Sequence, residues 1–132
     1  MSFAYNLTEH RTQVTNGRNL TTVYKMRPDG AVVSMTDPLG NETLTSWNDK
    51  ERLPASRTNA RSVTTTYDYD EDGNLQRERV DGLPTTHTYR RLKNGLIKNR
   101  RASTTDRNGN TTTFSYDANG NLIQITDPAQ GV

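Results

Sequence analysis

Polar and apolar positions alternate in short bursts along this chain and never settle into a helical period. Tyr24-Lys-Met26, Tyr67-Asp-Tyr69 and Phe114-Ser-Tyr116 each set two large side chains two residues apart, and Thr45-Ser-Trp47 repeats the spacing with Thr in the first place. That spacing puts both on one face of a strand, because strand side chains alternate with a period of two. Shortly after each pair the chain carries turn residues, as Asp29-Gly30, Asp72-Gly73, Asn94-Gly95 and Asn119-Gly120. Such dipeptides tolerate the two positive φ values of a tight hairpin turn. An apolar residue two places later, at Val32, Leu75, Ile97 or Leu122, starts a return strand. The pattern predicts hairpins from one end to the other.

These hairpins are copies of one unit. Unit starts fall at Thr15, Thr36, Thr58, Val80, Thr105 and Thr126. One position on lies Asn16, Asp37, Asn59, Asp81, Asp106 or Asp127, a second turn that Pro38 and Pro128 reinforce. Positions nine and eleven hold Tyr24 and Met26, Thr45 and Trp47, Tyr67 and Tyr69, Tyr89 and Arg91, Phe114 and Tyr116. Position fifteen holds Gly30, Glu51, Gly73, Gly95 and Gly120, and position seventeen Val32, Leu53, Leu75, Ile97 and Leu122. Residues 1–14 read as a lead-in with room for a partial strand, 15–127 as five units, and 128–132 as the opening of a sixth. Glu51 in place of the turn glycine predicts a looser turn there. The fourth unit is longer, which predicts a bulge or extended loop between Lys98 and Thr104.

Composition sharpens this into a thin sheet. Leu, Ile, Val and Phe supply only 22 of 132 residues, and mean hydropathy is −0.97. A net charge of +2 is too small for the disordered class that combines low hydrophobicity with high charge. Thr, with 21 residues, is β-branched and suits a pleated surface while leaving its hydroxyl to solvent. The prediction is an all-β, repetitive antiparallel array of about ten strands, with stability that is nearest-neighbour in character. The sequence has no cysteine, so disulfides and thiolate metal sites are excluded. It has no apolar run long enough for a spanning helix.

Two phrases, Tyr67 to Leu75 (YDYDEDGNL) and Phe114 to Leu122 (FSYDANGNL), resemble the YD repeat of the Rhs family. The resemblance runs from about Thr15 to Asp127. It implies a curved sheet belonging to a spiral β-shell, of the kind found in Rhs polymorphic toxins, Tc toxin complexes and teneurins. It also implies a structural role in enclosing a toxin or other cargo, in a secreted or cell-surface parent, with neighbouring repeats or the enclosed domain as partners. The array is too short to close a shell by itself. The resemblance carries no catalytic residue, and the chain itself offers no nucleophile elbow and no phosphate loop.

Other chemical signals are weaker than this structural one. Asp68, Asp70 and Asp72 evoke a calcium loop, but Arg79 stands where a bidentate Glu is required. His10 and His87 have no ligand spacing, and His87 falls in a strand column otherwise held by Thr. No cofactor is implied. Arg90, Arg91, Lys93, Lys98, Arg100 and Arg101 cluster without an acid. This patch, or exposed aromatics, offers an alternative role in binding a glycan or anionic partner. It lacks the interleaved aromatics of a nucleic-acid platform. Open sheet edges invite self-association.

Overall fold

The computed structural model describes residues 1–48, 52–90 and 100–128. Every element among them is a strand: β1 (Ser2–Asn6), β2 (Arg11–Thr15), β3 (Thr21–Met26), β4 (Val32–Thr36), β5 (Glu42–Trp47), β6 (Pro54–Thr58), β7 (Thr64–Tyr69), β8 (Leu75–Val80), β9 (Leu83–Arg90), β10 (Arg100–Thr105), β11 (Thr111–Tyr116) and β12 (Leu122–Thr126). Strand neighbours are also sequence neighbours from β1 to β12, as short loops demand. Twelve strands rather than ten arise because the lead-in is itself a hairpin. Phe3 and Tyr5 there repeat the two-residue aromatic spacing. No helix in the described residues is long and apolar enough to cross a membrane.

The chain falls into two compact bodies, Met1–Thr66 and Tyr67–Val132. In the first body, pairing aligns Phe3 with Val14, Tyr5 with Thr12, Thr12 with Tyr24 and Tyr24 with Met35, all on one face. The opposite face carries pairs of hydroxyls. Thr15 and Thr21 bond at 2.8 Å, Ser46 and Ser56 at 2.7 Å, and Thr58 and Thr64 at 2.9 Å. Ser34, only 4 % exposed, donates to Glu42 at 2.6 Å. In the second body the same division holds, with Phe114 aligned to Ile125 on one face. Hydroxyl pairs Thr88–Ser103 (2.7 Å) and Thr105–Thr111 (2.8 Å) occupy the other. The threonine hydroxyls therefore bond across strands, more than the sequence suggested. Among the described residues no hydrophobic side chain is buried. The columns are half-covered, as expected where each strand meets only its neighbours.

The turns correct one expectation. Asp29, Asp72 and Asn119 do not have positive φ, whereas Gly30 (87°), Gly73 (80°) and Gly120 (82°) do. Each loop is a three-residue connection whose last residue is left-handed, not a two-residue turn. The inter-unit turns use the same device. In the inter-unit turn Asp37 N–H donates to the Asn41 carbonyl at 3.0 Å, as in the within-unit turn Asp117 N–H donates to the Asn121 carbonyl at 3.0 Å. In both loops the leading carboxylate accepts from the backbone N–H two and four residues on. Asn16 and Asn59 do the same with their amide oxygens. The two turns of the repeat are one motif used twice per unit.

Three of the described loops depart from it. The β1–β2 loop has four residues between paired Asn6 and Arg11, with His10 (φ 48°) left-handed. Asp81 (φ 50°) and Gly82 (φ 80°) form a true two-residue turn between Val80 and Leu83. The loop from Asn48 closes a residue later, on Leu53, with Arg52 (φ 54°) in the left-handed position. Glu51, the residue that departs from the glycine column, lies outside the described residues. The expected irregularity before Thr105 is a bulge at Ala102, between Arg101 and Ser103. It is not peculiar to that unit, since β4, β6 and β12 shift register at the corresponding place.

Candidate functional site

The bulges set up the most regular feature of the chain. Where β4 meets β5 the ladder stops at Ser34–Leu44, where β8 meets β9 at Arg77–Thr86, and where β10 meets β11 at Ser103–Thr113. Beyond that point a side chain takes over. Trp47 Nε1 donates to the Val32 carbonyl at 2.8 Å, Tyr89 Oη to Leu75 at 2.8 Å, and Tyr116 Oη to Arg101 at 2.9 Å. Each donor lies three residues past the last paired position of its strand. Each acceptor lies two residues before the last paired position of the neighbour. The geometry is a clasp, in which an aromatic spans strands that have begun to diverge and satisfies a carbonyl the ladder no longer reaches.

At the β2–β3 junction the donor position holds Met26, which has no polar hydrogen on its side chain. There the ladder runs on through Arg11–Lys25, and Met26 N–H donates to the His10 carbonyl at 2.8 Å. Within the first body the β2–β3 junction is thus zipped by backbone and the β4–β5 junction clasped by an aromatic.

Register also relocates two residues of the fourth unit. The short Asp81-Gly82 turn draws β9 back, so Tyr89 is a clasp residue rather than the partner of Tyr24, Tyr67 and Phe114. His87 takes that place. It is 7 % exposed, with Nδ1 3.0 Å from Thr104 Oγ1. Burial pushes its pKa below the usual histidine range, the Arg101 charge adds to that, and Glu78 opposes it. Sequence spacing missed this because the loop length, not the residue type, sets the column.

The remaining column residues are placed as follows. Tyr24, Tyr67, Tyr69, Phe114 and Val32 are half-buried on their strands, Leu53 is half-buried beside β6, and Leu122 is exposed. Burial raises the Tyr69 pKa, with Tyr67 a smaller cause. Gly95 and Ile97 lie outside the described residues. Successive loops leave shallow depressions in the first body, of about 260 Å³ between the Arg27–Ala31 loop and Trp47, and about 250 Å³ between Tyr5 and Met26.

Of the basic patch, Arg91, Lys93 and Lys98 lie outside the described residues. Arg90 and Arg100 are directly opposed across strands and both exposed, and Arg101 is opposed to Tyr89. The Arg100 guanidinium stands 5.9 Å from the Tyr116 ring centre. The acidic string is occupied by its own turn. Asp70 Oδ1 accepts from Asp72 N–H (3.0 Å) and Asn74 N–H (2.9 Å), and Asp68 pairs with Arg79 at 2.9 Å. No group of three or more His, Cys, Asp or Glu suited to a metal occurs among the described residues.

Together these features define an all-β repeat protein with strand-to-strand clasps. The RHS Repeat family model matches residues 98–132. Among solved structures 38 chains match. One of them, the crystal structure of TcdB2-TccC3-Cdc42, superposes with a TM-score of 0.70 at 18 % identity and covers 98 % of this chain. This chain spans 8 % of the length of that one. At that identity the likeness is one of fold. No curated protein matches the sequence.

Proposed function

We propose that this chain is a wall segment of an RHS-repeat shell that encloses a toxin or other cargo in its parent protein. The recurring clasp is the observation that carries the reading. A wall must hold many strands edge to edge without a core, and Trp47, Tyr89 and Tyr116 join adjacent strands by the same bond to the same backbone position. The match to a stretch of TcdB2-TccC3-Cdc42 supports the same reading. The role is non-catalytic, and the parent is secreted or displayed at the cell surface. The aromatic column, the Val/Leu/Ile column and the turn glycines do the structural work. The test is limited proteolysis of the parent polypeptide with this segment intact or carrying Trp47, Tyr89 and Tyr116 all as Ala. Cargo protected only in the intact form is the expected result. Cargo digested equally in both forms would sink the proposal.

One observation favours a second reading, the binding of an anionic glycan. Arg90 and Arg100 are like charges placed directly opposite each other, an arrangement that costs stability unless an anion bridges them. A glycan array probed with the chain and with its Arg90→Ala/Arg100→Ala variant decides it. A signal lost in the variant supports binding, and the absence of any signal removes it.

A further inference from the structure

Trp47 stands where two loops meet. Its clasp to the Val32 carbonyl (2.8 Å) ties the residue just before the Asn48–Leu53 loop to the residue just after the Arg27–Ala31 loop. The two loops are therefore held side by side within the first body, with a depression of about 260 Å³ between them. Its lining includes Trp47, Arg27, Asp29, Arg52, Gly30 and Ala31. Such a volume suits one sugar ring better than a drug-sized ligand, which fills about 300–1,000 Å³.

The charge of this lining is unbalanced. Asp29 Oδ2 meets the Arg27 guanidinium at 3.2 Å, and Asp29 Oδ1 accepts from the Ala31 N–H at 3.2 Å. One carboxylate thus faces two guanidinium groups. Arg52 is exposed, and among the described residues its side chain has no hydrogen bond or ion pair. Only its backbone N–H is bonded, to the Asn48 carbonyl at 3.0 Å. Its φ of 54° is left-handed, in the place that Gly30, Gly73 and Gly120 take in other loops. A side chain is strained there where glycine is not. Nothing in the bonding of the loop calls for arginine, and a strained residue beside a cavity points to a role for its side chain.

We infer that this depression binds a sugar acid, a pyranose carrying a carboxylate, as at the end of an acidic glycan. The apolar face of the ring stacks on the Trp47 indole, the one aromatic group in the lining. The clasp holds that indole by its nitrogen, so the platform is fixed before any ligand arrives. The sugar carboxylate pairs with the Arg52 guanidinium, whose planar donors match two carboxylate oxygens. The Arg27–Asp29 pair offers donors and an acceptor to the ring hydroxyls. The site is separate from the Arg90–Arg100 pair, which belongs to the second body, and it does not depend on the chain enclosing a cargo.

Trp47 is the sole tryptophan, so its fluorescence reports on this depression. Methyl glucuronide titrated into the chain should change that fluorescence and saturate with a Kd of about 1 mM. Methyl glucoside, which lacks the carboxylate, should bind about tenfold more weakly. Arg52→Gly installs the residue of the other loops, so the urea midpoint should hold or rise while glucuronide binding falls about tenfold. Arg90→Ala/Arg100→Ala should leave the response as it is. No saturable response to the glucuronide overturns the site, and so does an equal response to methyl glucoside or to acetate. A response that survives Arg52→Gly overturns it too; if Arg90→Ala/Arg100→Ala then abolishes that response, the sugar acid belongs to the second body. None of these outcomes touches the wall reading, which rests on protection of cargo.

Discussion

Replacing Tyr89 with Phe removes one oxygen atom and leaves the ring. That oxygen donates to the Leu75 carbonyl at 2.8 Å, past the point where the β8–β9 ladder has stopped at Arg77–Thr86. The lost bond is worth about 1 kcal/mol, the usual net value for a neutral hydrogen bond. Since about 1.4 kcal/mol corresponds to a tenfold change in an equilibrium, opening of this junction should become about fivefold more frequent. Hydrogen exchange followed by mass spectrometry reads this directly, because exchange in the native state reports local opening. Peptides from β8 and β9 should exchange about fivefold faster. Peptides from β2 and β3 should be unchanged, because stability in an array passes only between neighbours. Arg101→Ala is the control: Tyr116 bonds to the backbone of that residue, so truncating its exposed side chain leaves the clasp intact. Unchanged exchange in β8 and β9 would refute the clasp, and equal acceleration in β2 and β3 would refute the locality.

Gly109 has φ 85° and open space where a Cβ would stand, so Gly109→Ala should cost about 1–2 kcal/mol through backbone strain alone. Gly109→Asn should cost less, because Asn19 (φ 58°) holds the same loop position; urea midpoints compare the two. The pKa values of Asp37, Asp106 and Asp117 are lowered, chiefly by side-chain hydrogen bonds from Asn41, Asn110 and Asn121. Carboxylates depressed in the folded state give stability that is present above their unfolded pKa and lost as pH falls through the folded one. Changing all three to Asn keeps the acceptor, as Asn16 and Asn59 do, and should flatten the acid limb of a circular dichroism titration below about pH 4. His87, depressed by burial, follows the same sign: stability is present above the ordinary value of about 6.5 and lost as pH falls. His87→Phe, matching Phe114 in its column, should remove the change in urea midpoint between about pH 7 and about pH 5; an unaltered pH dependence would count against burial of a neutral ring.

The sequence by itself determined the strands, the loops and the copying of one hairpin, because each rests on local chemistry. Period-two alternation marks Tyr67 and Tyr69 as sharing a face, and Gly is the residue that best tolerates the left-handed end of the Asp70–Asn74 loop. Even the extra hairpin was written in Phe3-x-Tyr5, though no matching turn dipeptide flagged it. Tertiary structure alone decided which residues fall level with one another. The two-residue turn at Asp81-Gly82 slides β9, making a clasp of Tyr89 and moving His87 into the aromatic column, and no residue within β9 announces that shift. The clasp itself was equally hidden, since its acceptor is a backbone carbonyl that any residue supplies. Val32, Leu75 and Arg101 share no side-chain chemistry. What makes them acceptors is that the neighbouring strand has pulled away, leaving a carbonyl that only an aromatic donor can reach.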